Sequence, residues 1–527
     1  MGIYLNPGND QFRKMLRSKI YVDKSNLIAY TNDVIDSEMA YLCVSRPRRF
    51  GKSTAANMLC AYYSNGVDSE LLFKDQKIAQ SPSFHEHLNK HHVLMFNIQQ
   101  FIRGAKSPEN FVDFIEQKIL YEVKEQYKGL VRENETSLPD ALTSVYVKTN
   151  ECNPGFIFII DEWDCIFREM KDNEIIQKDY LDFLRDLIKD RVYVKLAYMT
   201  GILPIKKYGT HSALNIFEEF SMTDSKSLAS FVGFTEDEVK QLCIDYNMEF
   251  DGAKQWYDGY TFGDNLHIYN PKSIVDAMRN QKFKSYWTRT ETYEALRIYI
   301  DMNFDGLKDA IIFMVGGGKY RINPEKFQND MTNFKSKDDV LTLLVHLGYL
   351  AYDEGKQSVF IPNMEIAGEF RNAIDGSKGW ERLAGILRDS EDLLESTLNL
   401  DQDAVAQGID KVHTEHISIL SYNNENSLSC VITLAYFYAR KNYLLVREFP
   451  SGKGFADIVF LPVKYVNSPA IVVELKWDKS VYGALAQIKD RKYVDALKDY
   501  SGNILLVAIS YNKKTKRHDC IIEKYSL

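Results

Sequence analysis

The chain of 527 residues is too long for a single hydrophobic core, and its length predicts about two to four domains. Its composition, 45% hydrophobic and 26% charged, is that of a water-soluble protein, and every apolar run is shorter than the roughly 18 residues that a membrane span needs. The N-terminal segment lacks the charged and then apolar layout of a signal peptide. We therefore expect a cytoplasmic protein that does not insert into a membrane.

The formal net charge of −8 gives no reason to expect nucleic-acid binding over the whole surface. The charge is unevenly distributed, because residues 440–527 contain sixteen Lys and Arg but only nine Asp and Glu. This basic surplus suits contact with a phosphate backbone, although on charge alone a solvated basic face is an equally good interpretation. The seven cysteines show no CxxC spacing, which predicts buried thiols with neither a zinc site nor disulfides.

The first strong pattern is the segment 41–54, YLCVSRPRRFGKST, which predicts a buried strand, a turn rich in arginine and the start of a helix. It ends in the GK[ST] part of a phosphate-binding loop, in which Lys52 reaches the β and γ phosphates and Ser53 holds Mg²⁺. The spacing GxxxxGK would require glycine where this chain has Arg46. The predicted nucleotide-binding residues of the loop are Gly51, Lys52, Ser53 and Thr54.

Strand and helix patterns alternate up to about residue 230, which predicts an α/β domain with a parallel sheet. Strands are expected at 93–101, at 156–161 and at 192–205, the last interrupted by a polar turn at Thr200-Gly201, with a helix near 111–127. The motif FIFIIDEWD is typical of a central parallel strand that delivers acids to the carboxyl edge of its sheet.

Three side chains at these strand ends complete a predicted site for NTP hydrolysis. Asp161 binds Mg²⁺ through water, Glu162 polarises the attacking water, and Thr200 senses the γ phosphate. The alternative is a purely structural role, in which Asp161 and Glu162 cap a helix after the strand. The order of these residues along successive strand–helix units favours the nucleotide site.

The first 290 residues also carry motifs that resemble the AAA-ATPase-like bacterial proteins of the P-loop class. In that family the sequence RPRRFGKS replaces the usual first glycine, so Arg46 strengthens the resemblance. The resemblance implies that the nucleotide is ATP. The segments that carry it are Tyr21–Lys24, Arg46–Ser53, Asp161–Asp164, Trp256–Tyr260 and Ile268–Ser273.

The loop arginines Arg46, Arg48 and Arg49 have two interpretations. They contact phosphates or act as arginine fingers on a neighbouring subunit, which would require a homo-oligomer, or they hold the loop through salt bridges to nearby acids. We favour the structural role for each of them. The aromatic segment 256–262 is similarly interpreted as packing core rather than as a base-stacking platform.

The chain changes character beyond the first domain. Residues 236–400 are predicted to be mainly helical, with one helix starting at Asn270-Pro271 and a break at glycines 316–318. A second α/β pattern follows, in which a helix over 416–439 precedes three strands at 443–450, 456–462 and 470–477. A helix over 481–500 and a strand over 503–511 end the predicted elements.

The second α/β pattern carries its own constellation of charged residues. Asp457 lies on one strand, and Glu474 and Lys476 lie on the next and face the same way because side chains alternate along a strand. Asp457 and Glu474 offer the hard oxygen ligands of a divalent metal, while Lys476 orients water or stabilises the phosphorane charge. Glu425 is a candidate further ligand, and Gln487 is a candidate contact for phosphate or water.

The pattern D-x16-E-x-K resembles the PD-(D/E)XK nuclease superfamily, in the version often fused to the AAA-like domain. Ala456 stands where a proline is expected, and Phe455 stands where GRAD-like versions of the family have arginine. The bland alternative is an exposed strand pair with a salt bridge between Glu474 and a lysine. Asp457, Gln487 and the basic surplus favour a nuclease-type metal site for Mg²⁺ or Mn²⁺.

These patterns predict an α/β protein in three parts: an AAA-like P-loop domain (1–235), a mainly helical middle region (236–400) and a restriction-endonuclease-like domain (401–527). The leading hypothesis is an ATPase whose nucleotide state controls a metal-dependent nuclease, with DNA as the favoured partner. One alternative is a nucleotide-switched module that grips nucleic acid or protein without cutting. Another is a signalling ATPase with a protein partner.

Overall fold

The computed structural model describes residues 2–525 apart from 103, 106–107, 150–154, 206–213, 264–265, 288–292, 303, 329–330, 332–333, 376, 417–424, 452–453, 464–467, 491–496 and 498–502. The chain divides into two compact units that are each built from discontinuous segments. Unit 1 comprises residues 1–248, 259–281 and 322–357, and unit 2 comprises residues 249–258, 282–321 and 358–527. Across the described residues, no helix is both long enough and apolar enough to cross a bilayer.

The strands of the described residues are, in chain order, β1 (Tyr41–Ser45), β2 (His92–Asn97), β3 (Phe156–Asp161), β4 (Val194–Gly201), β5 (Glu218–Phe220), β6 (Phe234–Thr235), β7 (Tyr260–Phe262), β8 (Leu266–Tyr269), β9 (Tyr320–Arg321), β10 (Ala351–Asp353), β11 (Ser358–Phe360), β12 (Tyr443–Ser451), β13 (Gly454–Pro462), β14 (Ala470–Trp477), β15 (Ile504–Asn512) and β16 (Arg517–Tyr525).

The helices are α1 (Asp10–Leu16), α2 (Asn26–Val34), α3 (Lys52–Tyr63), α4 (Glu70–Phe73), α5 (Phe84–His87), α6 (Ile98–Ile102), α7 (Phe111–Gln126), α8 (Leu138–Lys148), α9 (Cys165–Glu169), α10 (Glu174–Ile188), α11 (Glu236–Asp245), α12 (Phe250–Tyr257), α13 (Pro271–Asn280), α14 (Tyr293–Ile300), α15 (Leu307–Val315), α16 (Lys337–His346), α17 (Met364–Asp375), α18 (Glu381–Leu398), α19 (Gln402–His416), α20 (Glu425–Ala435) and α21 (Val481–Asp490).

The main sheet of unit 1 has five parallel strands in the order β2, β3, β4, β1, β5. Every residue of β3 is buried, as expected of a central strand in a parallel sheet. The strand β4 lies between β3 and β1. Because parallel strands share one carboxyl edge, the segments that follow β1, β3 and β4 lie side by side, as the sequence predicts.

Two predicted strands of this sheet are shorter than expected. The prediction of a strand over 93–101 is wrong beyond Asn97, because the side-chain oxygen of Asn97 accepts the backbone N–H of Gln99 at 2.9 Å and the chain turns into α6. In the segment 192–205, the turn predicted at Thr200-Gly201 is wrong, because both residues pair with β1 as part of β4, and the strand ends after Gly201. After it, the N–H groups of Ile202 and Leu203 donate to the carboxylate of Asp164 instead of to a neighbouring strand.

A small antiparallel sheet in the order β6, β8, β7 supports the phosphate-loop segment. The ring of Phe50 packs edge-on against Tyr260, with 5.4 Å between the ring centroids. Tyr260 is almost completely buried, which agrees with the interpretation of this aromatic segment as packing core. The helix predicted at Asn270-Pro271 is confirmed, since the Asn270 side chain accepts the N–H groups of Lys272 and Ser273 at the start of α13.

Unit 2 contains a five-stranded sheet in the order β12, β13, β14, β15, β16, in which only the pair β14 and β15 is parallel. Four of these strands match predicted ones. The last strand, β16, was not predicted, although His518, Cys520 and Ile522 are buried in an alternating pattern with charged neighbours. Charged residues at the exposed positions made this alternation of buried and exposed residues hard to recognise in the sequence.

Side chains of β14 alternate between two hydrophobic clusters. Val473 and Leu475 pack in the cluster that includes residues of α18, α19 and α20, whereas Val472 packs in the cluster that includes residues of α21. The alternation places Glu474 and Lys476 on the α21 side, which confirms that they share a face. The sheet therefore presents two charged side chains toward one helix.

Other predicted features of this region are recovered in part. The predicted helix over 416–439 contains α20, while residues 417–424 lie outside the described residues. The predicted helix over 481–500 contains α21, and most of 491–500 lies outside them. Five cysteines are described as free and buried, in agreement with the prediction of buried thiols: Cys43, Cys60, Cys165, Cys243 and Cys520.

Candidate functional sites

The phosphate-loop segment joins β1 to α3 through two residues with left-handed backbone. Gly51 has φ +94°, and Arg49 has φ +69°, a conformation that costs free energy in a residue with a side chain. An added Cβ at Gly51 would meet no atom within 4 Å. Glycine is therefore favoured here by backbone conformation, and the space in front of the helix start is open.

Lys52 lies at the first position of α3 and is only 4% exposed. Its ammonium group donates to the carbonyl oxygens of Arg46 and Pro47, each at 3.0 Å. Burial lowers the pKa of Lys52, while the carboxylates of Glu162, Asp164 and Asp161 act in the opposite direction. The lysine is thus held by dipoles of its own loop beside an acidic strand end.

Arg46 is fully buried and holds the loop from inside. Its Nη1 atom donates to the carbonyl oxygens of Ser45, Phe220 and Ser221 at 2.9, 2.9 and 3.1 Å. The guanidinium carbon also lies 4.9 Å from the centroid of the Phe262 ring. Burial lowers the pKa of Arg46 to about 10. These contacts connect the end of β1 to the end of β5, and they are made to backbone carbonyl oxygens where the prediction had salt bridges to acids.

The other two loop arginines are half-buried. Burial lowers the pKa of Arg48, and so does the nearby Arg168, whereas Glu162 and Asp164 raise it. The Arg48 carbonyl oxygen accepts the side-chain N–H of Asn270 at 3.5 Å. The structural roles of Arg48 and Arg49 stay predictions.

Asp161, the last residue of β3, collects hydrogen bonds from three elements. Its Oδ2 atom accepts the hydroxyl of Ser53 at 2.7 Å and the amide of Asn97 at 3.1 Å. Its Oδ1 atom accepts the hydroxyl of Thr200 and the N–H of Glu162. The fold therefore brings together the predicted residues Ser53, Asp161 and Thr200, whereas Asn97 was missed.

Asn97 could have been found from the sequence by one feature, since it is a polar residue at the end of an apolar segment of the same parallel sheet.

The close approach of β4 to the acidic segment depends on Gly201. A Cβ at that position would lie 2.6 Å from the indole nitrogen of Trp163 and 2.7 Å from Oδ1 of Asp164. Only glycine lets the two segments pack this closely. Thr54 is exposed beside Ser53 in the first turn of α3.

Glu162 follows Asp161 with left-handed backbone, at φ +55°. Its carboxylate is ion-paired with Arg168 of α9, and both side chains are largely buried, at 18% and 6% exposure. Arg168 also donates from Nε to Asp164 at 3.1 Å. Burial raises the pKa of Glu162, against the lowering effect of Lys52 and Arg168. Arg168 was not predicted as a site residue, because its side chain reaches back across a turn of helix to the strand end.

The second candidate site lies in unit 2. Asp457 of β13 accepts the backbone N–H of Leu475 at 2.7 Å, so its carboxylate is held against the neighbouring strand β14. Ile458 pairs with Val473 across these strands, and by the same register Asp457 stands opposite Glu474. The two predicted metal ligands are therefore neighbours across the sheet.

Glu474 is only 1% exposed, and one of its carboxylate oxygens joins the other predicted residues. Its Oε1 atom accepts the ammonium group of Lys476 at 2.8 Å and the side-chain amide of Gln487 from α21. The structure thus brings Asp457, Glu474, Lys476 and Gln487 together. Glu425 begins α20, and its side chain lies outside the described residues. Phe455, at the position where an arginine is usual, is 61% exposed.

The residues present fit the groups that each site would hold. At the first site, a hydroxyl and a carboxylate already in contact offer oxygen ligands for Mg²⁺ beside a buried lysine and a helix start, which suits a nucleoside triphosphate. At the second site, two carboxylates on adjacent strands offer hard oxygen ligands for a divalent cation. The chain thus has the fold and side chains of a P-loop ATPase-like domain and of a nuclease-like domain.

Comparison with known families agrees with this division. Residues 7–210 match the family described as predicted AAA-ATPase, and residues 423–520 match the PD-(D/E)XK nuclease superfamily. The two predicted resemblances and the fold class are therefore confirmed: an AAA-ATPase-like domain with a parallel sheet is fused to a PD-(D/E)XK superfamily domain. No curated protein matches the chain in sequence.

Two solved structures share distant similarity. The Walker-type ATPase PABY2304 of Pyrococcus abyssi is 13% identical, with 66% of this chain and 94% of that chain covered and a TM-score of 0.35. The Aeropyrum pernix ORC1 protein in complex with DNA is 11% identical, with 69% of this chain and 95% of that chain covered and a TM-score of 0.25. Scores this low support no argument about function.

Proposed function

We propose that this chain is a cytoplasmic, bacterial-type ATPase joined to a metal-dependent phosphodiesterase that cuts DNA, and that its ATP state controls cleavage. Its parts are an ATPase domain (1–235), a helical middle region (236–400) and a nuclease domain (401–527). The observation that carries most of the proposal is the convergence of Ser53 and Thr200 on Asp161 beside the buried Lys52. This is the arrangement that triphosphate hydrolysis requires.

In the ATPase domain, Lys52 exchanges its bonds to the loop carbonyls for β- and γ-phosphate oxygens, and the first turn of α3 faces the phosphates through Gly51 and Thr54. Ser53 and Asp161 hold Mg²⁺. Glu162 accepts a proton from the water whose oxygen bonds to the γ phosphorus, while the bond from that phosphorus to the bridging oxygen breaks and ADP leaves. Thr200 senses the γ phosphate. Catalysis of this kind rests on positioning and charge rather than on covalent chemistry.

In the nuclease domain, Asp457 and Glu474 hold Mg²⁺ or Mn²⁺, with Glu425 as a further ligand. The cation, when bound, polarises the scissile phosphate and stabilises its charge. Lys476 orients the attacking water or stabilises the charge on phosphorus. Gln487 fixes the orientation of Glu474 through the hydrogen bond that the two side chains already make.

A cleavage assay on the purified full-length chain tests the proposal. Single- and double-stranded DNA and RNA are incubated with Mg²⁺ or Mn²⁺, with and without ATP. We expect metal-dependent products from DNA, a change in rate with ATP, and no products from Asp457→Asn. The asparagine variant keeps an oxygen that accepts the Leu475 N–H, so its fold is preserved while the ligand charge is lost.

Other outcomes would contradict specific parts of the proposal. A salt-dependent gel shift without metal-dependent products would favour the binding module that does not cut. ATP turnover that is unaffected by nucleic acid, in a chain that neither binds nor cuts it, would favour a signalling ATPase with a protein partner. Equal cleavage with and without ATP would remove the control by nucleotide but keep the nuclease.

A further inference from the structure

Arg168 is a charged residue beside the proposed ATP site to which neither motif assigns a role. Its side chain is 6% exposed and joins two carboxylates of the acidic strand end. One end of the guanidinium group donates from Nε to Asp164 at 3.1 Å, and the other end pairs through Nη2 with Glu162. The side chain therefore spans two acids with different surroundings.

Asp164 is the fixed end of this arrangement. It is fully buried, and the Oδ2 atom that accepts Arg168 also accepts the N–H groups of Ile202 and Leu203 at 3.1 and 3.0 Å. These backbone bonds hold the carboxylate at the end of β4 whether or not Arg168 moves at its other end. Arg168 is thus anchored at Nε, and because the guanidinium group is planar and rigid, the same anchor also fixes where its Nη2 atom points.

Glu162 is the end that can be exchanged. It stands in left-handed backbone, which costs a residue with a side chain free energy and persists only when neighbouring contacts support it. Its carboxylate, the proposed acceptor of a water proton, is occupied by Arg168. While the pair persists, the Glu162 oxygen that contacts Arg168 is not available to a water molecule.

Electrostatics connect Arg168 to the phosphate loop. Arg168 and Glu162 both influence the protonation of Lys52 and of Arg48, so the four groups share one local field. Three of them are cations, and the terminal phosphate of a nucleoside triphosphate adds negative charge to this cluster that a diphosphate does not. A guanidinium group binds phosphate oxygens as readily as it binds a carboxylate.

We propose that Arg168 is a positioning residue that distinguishes ATP from ADP: with no γ phosphate it holds the Glu162 carboxylate, and with the γ phosphate present a phosphate oxygen replaces that carboxylate as the acceptor of Nη2 and frees Glu162. Asp164 keeps the Arg168 side chain in place in both states. Water activation is thereby linked to the presence of the group that is to be cleaved. The inference rests on the proposed ATPase function.

The test measures the dissociation constants of ADP and of the non-hydrolysable analogue AMP-PNP, both with Mg²⁺, for the full-length chain. In Arg168→Gln we expect the preference for AMP-PNP over ADP to fall about tenfold while the affinity for ADP stays within about twofold. A purely structural role would weaken both ligands equally, and that result would overturn the inference. Arg185→Gln is the matched control, because Arg185 also pairs with two carboxylates but lies 41% exposed on α10.

A double-mutant cycle separates the exchange from simple charge repulsion. Glu162→Gln releases Arg168, so it should raise the affinity for AMP-PNP relative to ADP several-fold, and this gain should vanish in the Arg168→Gln background. If the gain persists there, repulsion between Glu162 and phosphate explains it and the exchange is refuted. Arg168→Lys is a second background for this cycle, because it keeps the positive charge but lacks the planar guanidinium group. It should also lose most of the gain in preference for AMP-PNP, so the cycle does not depend on the stability of Arg168→Gln.

Nucleotide binding by the wild type distinguishes a failure of the proposed ATPase function from a failure of the role assigned to Arg168. A wild-type chain that binds neither ADP nor AMP-PNP would refute the proposed ATPase function itself. A wild-type chain that binds both, with a preference unchanged by Arg168→Gln, would refute only the role of Arg168.

Discussion

The two candidate sites hold their lysines in opposite ways. Lys52 is bonded to carbonyl oxygens of its own loop, which are neutral dipoles, whereas Lys476 is bonded to the carboxylate of Glu474. A polyphosphate that binds Lys52 replaces weak acceptors with strong ones. A cation that binds Glu474 must instead compete with an ammonium group that is already there. In the functions proposed above, the first site would receive an anion, whereas the second would exchange one cation for another.

The sites also differ in how far apart their parts lie in the chain. The first is assembled from the start of α3 and the ends of β2, β3 and β4, and Ser53 and Asp161 are 108 positions apart. The second is assembled from two neighbouring strands and the helix that follows, and Glu474 and Gln487 are 13 positions apart. The first site therefore depends on the register of several strands, whereas the second depends on one strand pair and the next helix.

The largest effects are expected from substitution of Lys52 and of Lys476, and each substitution should impair a different activity. Lys52→Ala should reduce ATP turnover at least about 100-fold, and Lys476→Ala should reduce metal-dependent DNA cleavage by a similar factor while leaving ATP turnover without DNA unchanged. Steady-state phosphate release and gel-based cleavage measure these effects. The exposed lysines Lys74 and Lys479 are matched controls whose alanine variants should behave as wild type. Loss of ATP turnover in Lys476→Ala would show that the two sites are not separate.

Removal of Arg46 should damage the first site through stability. Arg46→Ala leaves three buried carbonyl oxygens without a charged donor, and we expect a local loss of about 3 kcal/mol. Hydrogen exchange of amides in β1 and β5 should accelerate by about 100-fold. In Arg185→Ala, which removes an exposed ion pair, the rates should barely change. Unchanged exchange together with lost ATP binding would instead assign Arg46 to the phosphates.

Competition between Lys476 and a metal ion for Glu474 predicts that removal of the lysine raises the affinity for the metal and lowers the cleavage activity. Lys476→Met removes the ammonium group that occupies Glu474 and keeps an apolar stem, so affinity for Mn²⁺ without nucleic acid should rise about five- to tenfold, although cleavage is lost. Calorimetric titration measures the affinity. Lys479→Met serves as the control because it lies three residues away and is exposed. A lower affinity in Lys476→Met would mean that the lysine orients the ligand rather than competing for it.

The smallest predicted effect concerns Glu369, a buried carboxyl group of unit 2. It is not supplied with hydrogen-bond donors in the way that Asp161 and Glu474 are at the two candidate sites. Glu365 accepts the N–H groups of Tyr286 and Trp287, whereas the nearby Glu369 accepts only the Ser285 hydroxyl, at 3.4 Å, among the described residues. Burial raises the pKa of Glu369 to about 7 from 4.5. The folded chain thus binds a proton that the unfolded chain has released, and stability falls as pH rises from about 4.5 to 7.

Glu369→Gln should remove this pH dependence. The variant should be more stable than wild type by about 1 kcal/mol at pH 8 and no more stable below pH 4.5, because the wild-type carboxyl is then protonated in both states. Melting temperatures of wild type and variant across this pH range measure the difference. Glu391→Gln, at an exposed position, should show no such trend. A variant that is destabilised equally at every pH would show that the charged form is not the costly one.

The residue types of both candidate sites could be recognised because they occur at short spacings. The loop that ends in Gly51, Lys52 and Ser53 and the acids after β3 each follow an apolar strand, and the pair Glu474 and Lys476 lies within one. The alternation of side chains along β14 follows from strand geometry alone. Element type was likewise predictable wherever apolar periodicity was strong, and it failed for β16, where charged residues fill the exposed positions.

Which side chains meet depends on the tertiary structure. From the sequence alone two α/β patterns could be recognised, each with a cluster of acids and a lysine. The sequence did not determine that Asn97 would join Asp161, that Arg168 would span Glu162 and Asp164, or that Arg46 would turn inward to hold β5. Those contacts join residues from separate elements, and their energies depend on burial and on the register of the sheet, neither of which local spacing encodes.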